Sequence, residues 1–473
     1  MTQNKLITDF LSPASIHRRA IVIGGGIAGM LAGRVLADHF DQVILLERDQ
    51  YPNGPQIRAG VPQARHVHIL LLRGKQILED LFPGLSQELI DNGAGVVRMS
   101  EELMVLSYHG WRVNHPGGLT MLTFTHPLLE WCLRRRMADV TSVRCRDGCR
   151  VSGLIPGDEG SSVRGVRCRF RNDSDREQKL YGELIVEASG RFSRAPEWLS
   201  GIGYDQPEES MVEPFLGYAS RLFELPDSFK TSDGERPGWK ALLLQGRPPD
   251  HTRGGVLLPV EGKRWLVTLA GVAKDYPPTD EAGFMEFARS LRSNLLYDAI
   301  KDARPLSSIT GARTTNNRRR HYERLQKWPE RFVVLGDAAC VFNPVFAQGI
   351  SVATLQAMVL DRCLREHHSN NGNTSGLARQ FQHQVTKVIE PPWLMATTDD
   401  LRWPATEGGR SGLPTRLMHR YLDAVIALAT ERPEVDRIFA QVAHLLRPVQ
   451  ALFHPRIAFP VLARMLNPFS GMR

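Results

Sequence analysis

The 473-residue chain holds six cysteines, and no two of them form a CxxC pair or stand at the spacing of a zinc or iron–sulfur site. That excludes a disulfide framework. The scattered thiols Cys132, Cys145, Cys149, Cys168, Cys340 and Cys363 read as reduced side chains of a cytoplasmic protein. Cys145 and Cys149 bracket a strand and a turn. His66 and His68 lack a nearby carboxylate or cysteine, so no metal site is expected. Helix-turn-helix, zinc-finger and RNP motifs are all missing, and the net charge of +8 is spread along the chain, which argues against a nucleic-acid partner. The first eighteen residues have no unbroken apolar core, so no secretory signal is expected. Residues 338–360 carry no charge, but Asn343, Pro344, Gln348 and Gly349 mark a buried turn and a helix start, not a stable membrane insertion. There is no internal repeat.

What is present is ordinary in bulk. Hydrophobic residues at 42% and charged residues at 23% suit a globular protein, and the length suits two or three domains. The local signal is sharper. An apolar run, Ala20–Ile23, leads directly into Gly24-Gly25-Gly26-Ile27-Ala28-Gly29. Ile27, Met30, Leu31, Val35 and Leu36 then share one helical face, and Val43–Leu46 reads as a second buried strand ending at Glu47, followed by Arg48. This is the strand, GxGxxG, helix, strand, acid order of a dinucleotide-binding βαβ unit. Gly24 permits the turn, Gly26 lets backbone approach a pyrophosphate, and Gly29 lets helix and strand pack closely. The helix start offers free N–H groups and positive potential to phosphates, and Glu47 can accept from a ribose hydroxyl.

Two further segments follow. Leu184–Val186 reads as a buried strand running into Glu187-Ala188-Ser189-Gly190, and Phe332–Leu335 as another running into Gly336-Asp337. A loop with Pro344 and Phe346 then opens a helix near Gly349 and Ile350. Together these motifs resemble those of the FAD-dependent monooxygenases with the para-hydroxybenzoate hydroxylase fold. The resemblance implies an α/β fold: a Rossmann-like FAD-binding domain of the GR2 type, an inserted β-sheet substrate domain and C-terminal helices. It implies that Asp337 holds the ribityl chain and that the helix at Gly349 and Ile350 points at the flavin pyrimidine. Glu187 stands where relatives carry Asp, so only a fold role is carried to it. The segment Ile57–Gln63 is similar to one whose arginine contacts FAD phosphate, which brings Arg58 into the site. His126 opens a helix beside the diphosphate where relatives have Arg or Gln.

The run Gly60–Leu70, with Arg313–Tyr322, Val341–Val345 and Ala396–Asp399, resembles the bacterial polyether-pathway epoxidases, the lasalocid epoxidase among them. This implies O2 and an apolar, electron-rich substrate in natural-product biosynthesis, with an oxygen atom transferred from a flavin C4a-hydroperoxide by epoxidation or hydroxylation. Pro344 and Phe346 are placed at the substrate pocket. The catalytic chemistry then belongs to the flavin, and no protein acid–base dyad is identified. A WxWxIP segment is absent, which excludes the tryptophan-type halogenases, and no second GxGxxG unit is present. Reducing equivalents therefore come from transiently bound NAD(P)H or from a separate flavin reductase. A reductase of prenyl-type double bonds and a non-catalytic flavin-binding protein remain as alternatives.

The division expected is a discontinuous FAD-binding domain over 19–105, 140–200 and 310–370, a substrate sheet over 205–310, and a helical region over 377–473. Strands are expected at Lys240–Leu244, Gly255–Leu258 and Trp265–Leu269, and one amphipathic helix over Ala282–Ala303. A polar loop is expected at Asn370–Ser375, and helix breaks at Pro391, Pro392, Pro404 and Pro414. Leu445–Leu466 is read as a terminal cap in preference to a membrane or carrier-protein contact.

Overall fold

A computed structural model of the protein describes residues 18–157, 160–226, 238–313, 315–369 and 375–466. The polar loop expected at 370–375 falls, apart from Ser375, outside the described residues.

Apolar runs buried on both faces build parallel sheets, and five of them do so here. Arg19–Ile23 lies at the centre, between Gln42–Leu46 and Leu184–Glu187. Phe332–Val334 and Val143–Arg146 form the two edges, and every pairing is parallel. One continuous core joins these strands to the helices Ile27–Leu36, His126–Ala138, Gly349–Ser369 and Leu377–Asp400. Parallel pairing brings four strand ends to one edge of the sheet. Gly24, Glu47, Ala188 and Gly336 therefore meet there, where ligands bind in open α/β sheets.

A second, seven-stranded sheet contains Gly217–Glu224, Ala241–Leu244, Arg253–Val260 and Arg264–Gly271. It also takes in Leu103–Ser107, which pairs parallel with Ala241–Leu244. This corrects the cofactor segment drawn through residue 105, because an apolar pentapeptide does not declare which sheet it joins. The helix His126–Ala138, left outside the three cofactor segments, buries Leu128, Leu129, Leu133 and Met137 in the cofactor core. The helix expected over 282–303 is two helices, Glu281–Arg289 and Leu295–Ile300. Ser290, Ser293 and Asn294 interrupt it, residues whose side chains compete for backbone hydrogen bonds. Both pieces pack Phe284, Phe287, Leu296 and Ile300 against one face of the sheet.

The helix Leu377–Asp400 runs through Pro391 and Pro392, which corrects the expected break. Two backbone donors are lost, but Ile389, Pro392, Trp393 and Ala396 on the same stretch are buried, and that packing sustains the helix. Pro414 sits in the first turn of Leu413–Ala429, where a proline has no donor to lose. The last described helix, Pro455–Leu466, buries Ile457 and Val461 with Tyr421, Val425 and Leu428. Among the described residues no helix is long and apolar enough to cross a membrane. The uncharged stretch after Ala338 folds as a short strand, a turn at Pro344–Phe346 and the helix from Gly349.

Candidate functional site

The glycine loop is held by its neighbours. Gly24 adopts φ +100°, and a Cβ there would lie 2.5 Å from the Ala188 carbonyl oxygen. Its N–H donates to Leu46 O at 2.8 Å, and a Cβ on Gly29 would collide with the Gly24 carbonyl oxygen. Gly25, Ile27 and Gly29 are buried, whereas Gly24, Gly26 and Ala28 are partly exposed and form the outward face of the loop. A Cβ on Gly26 would find nothing nearer than Arg58 Nη2 at 4.0 Å, so the loop leaves a cradle there. The helix from Ile27 has no side-chain cap and no acid in its first turn, which leaves its N–H groups for an anion.

Glu47 is buried and accepts from Gly25 N at 2.8 Å and Asp49 N at 2.9 Å. Arg58, 6% exposed, lies among three carboxylates: Glu47 at 3.2 Å, Asp49 at 3.0 Å and Glu130 at 2.6 Å. Burial works against its charge, but Glu47 and Glu130 hold its pKa above the usual range. Its Nε has no partner. Tyr51 donates to Gly25 O at 2.8 Å and lays its ring 5.4 Å from the Arg58 guanidinium. His126 opens its helix 7% exposed, with Nδ1 unpartnered. Burial pushes its pKa well down, so the ring is neutral. The unpartnered Arg58 Nε–H and the Gly26 cradle fit a pyrophosphate. Arg48 is exposed beside a groove that Gly24, Glu47, Cys149, Val151 and Trp198 also line.

The Gly-Asp loop meets the glycine loop. Gly336 has φ +66°, donates to Gln356 Oε1 at 2.6 Å, and a Cβ on it would lie 2.8 Å from Ala28 Cβ. Burial raises the Asp337 carboxyl against the pull of Arg191 and Arg318. Asp337 Oδ1 is 3.9 Å from where a Cβ on Gly349 would stand, so the acid and the helix start share one space. Gly349 and Ile350 are half-buried at the head of a 21-residue helix with no acid in its first turn. The preceding Gln348 is buried with Oε1 unpartnered. Pro344 is exposed and Phe346 half-buried. Glu187 is fully buried and accepts from Ser189 N at 3.1 Å and from the Ser189 hydroxyl, fixing its own turn.

Two groups were not singled out from the sequence. On the sheet face opposite its helices, His66 Nδ1 is 2.7 Å from Ser220 Oγ, which is 2.6 Å from Thr268 Oγ1. Val67 N donates to Thr268 Oγ1 at 3.1 Å, so the two hydroxyls and the His66 ring form one hydrogen-bonded chain. His66 is itself 5% exposed. Burial lowers its pKa to about 4. Tyr218 lies on the same face, its ring 5.9 Å from His66. The second group joins Asn317, Asn343 and Asp400, whose carboxylate accepts from both amides at 2.6 to 3.1 Å. Asn317 and Asn343 fall in segments that carried the family resemblance and Asp400 directly follows another, but nothing in their spacing marks them as partners. Among the described residues no cluster of three His, Cys, Asp or Glu could hold a metal.

A family model described as FAD binding domain matches residues 18–389. Protein Rv3254 of Mycobacterium tuberculosis is 32% identical over 398 residues, which is 81% of this chain and 80% of that protein. Kynurenine 3-monooxygenase of Salinispora tropica is 23% identical over 371 residues, 74% of this chain and 73% of that enzyme. Among solved structures, a triple mutant of the flavin-dependent brominase Bmp2 covers 94% of this chain and 99% of its own, at TM-score 0.65 and 15% identity. The p-nitrophenol 4-monooxygenase PnpA of Pseudomonas putida DLL-E4 covers 89% and 96%, at 0.61 and 16%. At such identities the structures attest the fold alone. With the family match spanning most of the sequence and both cofactor loops at one sheet edge, the chain belongs to the FAD binding domain family and is an enzyme of the FAD-dependent monooxygenase class.

Proposed function

We propose that the enzyme inserts one atom of O2 into an apolar, electron-rich small molecule, by epoxidation of an alkene or by hydroxylation, in natural-product biosynthesis. The observation that carries this reading is the meeting of the Gly24–Gly29 loop with the Gly336–Asp337 loop at the edge of one sheet. Gly24, Gly26, Ala28 and Gly29 take the pyrophosphate, with Arg58 and His126 at its flank. Glu47 and Arg48 take the adenosine end, while Asp337, Gly349 and Ile350 take the ribityl chain and the flavin pyrimidine. FAD, when bound and reduced, supplies the activation of O2 and the electrophilic oxygen.

The chain's own residues position the substrate and keep the site dry. Pro344 and Phe346 form one wall, and the sheet face of Tyr218, Ser220 and Thr268 forms the other. All five side chains are uncharged. His66, neutral and hydrogen-bonded to Ser220, places no charge beside the substrate. Electrons come from NAD(P)H or from a separate reductase, since the sequence has one glycine motif of this kind.

The test is isotopic. Purified enzyme, reduced and given O2 labelled with oxygen-18, should place the label in the product. Label arriving from water would overturn oxygen transfer, and a product heavier only by two hydrogens would identify a reductase.

A further inference from the structure

Asp400 ends the helix Leu377–Asp400, beyond residue 389 where the FAD-domain match stops. It is 4% exposed, yet all its polar atoms are engaged. Its Oδ2 accepts from Asn317 Nδ2 at 2.6 Å and Asn343 Nδ2 at 3.1 Å, and its Oδ1 accepts from Asn343 Nδ2 at 2.9 Å. Its carbonyl accepts from the Thr406 hydroxyl at 2.6 Å. The amide orientations follow from the backbone, because Asn317 Oδ1 accepts from Asn343 N at 2.6 Å and Asn343 Oδ1 accepts from Val345 N at 3.1 Å. Both Nδ2 groups must then face the carboxylate.

This circuit closes at the entrance to the loop 343–350. Asn343 caps the turn Pro344–Phe346, Ala347 follows in the left-handed region at φ +52°, and Gln348 leads into the helix at Gly349. A non-glycine residue at such a φ holds its place only when its surroundings fix it. The neighbouring Asp399 accepts from Tyr108 OH at 2.6 Å, and Tyr108 sits between the paired strands Leu103–Ser107 and Gly110–Trp111 of the second sheet. One helix end therefore grips both the flavin-facing loop and the edge of the substrate sheet.

We infer that Asp400 is the positioning residue of the loop 343–350, and that the Asp399–Asp400 pair sets the gap between the flavin and the substrate sheet. The second clause rests on the function proposed above; the first does not.

The test compares Asp400→Ala and Asp400→Asn with Asp436→Asn, a buried acid of the C-terminal region bonded to Arg112 and His115. In FAD-free protein, amide exchange at Val345 should accelerate at least about tenfold in Asp400→Ala and not in Asp436→Asn. In loaded protein, Asp400→Ala should bind FAD about tenfold more weakly, shift the visible flavin spectrum, and send a larger share of the O2 consumed to H2O2. Asp400→Asn should lie between wild type and the alanine variant, since one oxygen can still accept from both amides. It carries the test alone if the alanine variant does not fold. Wild-type exchange, affinity and spectrum in both Asp400 variants, at a melting temperature lowered as in Asp436→Asn, would overturn the inference. Should the wild type give no oxygenated product while these shifts still appear, oxygen transfer fails and the positioning role stands.

Discussion

A Cβ placed on Gly336 would lie 2.8 Å from the Cβ of Ala28, so the two cofactor loops touch through the absence of one methyl group. Gly336 also holds φ +66°, which an L side chain rarely adopts. Gly336→Ala should therefore destabilise the protein by roughly 1–3 kcal/mol through backbone strain and push the loops apart. The expected result is a lower melting temperature and a fall in flavin bound per protein. In the double variant with Ala28→Gly the steric part should return while the strain remains, and a double-mutant cycle separates the two.

Gly26 and Gly29 are predicted to fail differently. A Cβ on Gly29 strikes the Gly24 carbonyl, so Gly29→Ala should disturb the fold itself. Gly26 has an ordinary φ of −74° and open space beyond it, so Gly26→Ala should leave FAD-free stability within about 0.5 kcal/mol of wild type, as for a change that meets no neighbour. The new methyl would occupy the phosphate cradle, and FAD affinity should fall at least about tenfold. Calorimetric titration with FAD beside a melt of the FAD-free protein checks both halves. A Gly26→Ala protein that binds FAD normally would show that the phosphates lie elsewhere.

The glycine loop was legible because its determinants are local: an apolar run, glycines at fixed offsets and an acid closing the next strand. The Gly-Asp loop was legible for the same reason, as was the helix from Gly349. The strand Leu103–Ser107 was not, since its apolar run suits either sheet and its parallel partner lies far along the chain at Ala241–Leu244. Nor was the circuit of Asn317, Asn343 and Asp400. Its members stand 26 and 57 positions apart, and a buried polar cluster has no periodicity. The prolines at 391 and 392 misled because tertiary burial overrode a local preference.

Arg58 neutralises a site with more acid than base. Arg58→Ala removes the one cation paired with all three of Glu47, Asp49 and Glu130, and should cost about 3–5 kcal/mol, as when one partner of a buried ion pair is removed. Arg58→Lys keeps the charge but cannot reach three carboxylates from a single nitrogen, so it should fall between. Adding Glu130→Gln to Arg58→Ala should recover part of the loss. Urea melts of the four proteins without FAD measure this, and equal midpoints would refute the role.

Asp400 gives the molecule a pH dependence whose sign can be worked out. Burial, with Asp399 and Glu213 adding to it, raises the carboxyl to about 7, against the bonds from Asn343 and Asn317. In the unfolded chain the group ionises in the ordinary carboxylate range, near 4. Between about pH 4 and 7 the native state thus holds a proton that the unfolded state has released. The contribution of this group to stability is full below that window and is lost as pH rises through it. A displacement of roughly three pH units corresponds to at most about 4 kcal/mol. Asp400→Asn removes this titration and leaves every other group in place, so the difference in unfolding free energy, wild type minus variant, should decrease between pH 5 and pH 8. Urea denaturation at the two pH values measures it. A difference that stays constant, or grows with pH, would mean that Asp400 is already ionised in the folded protein at pH 5 and that the two asparagines hold a permanent anion.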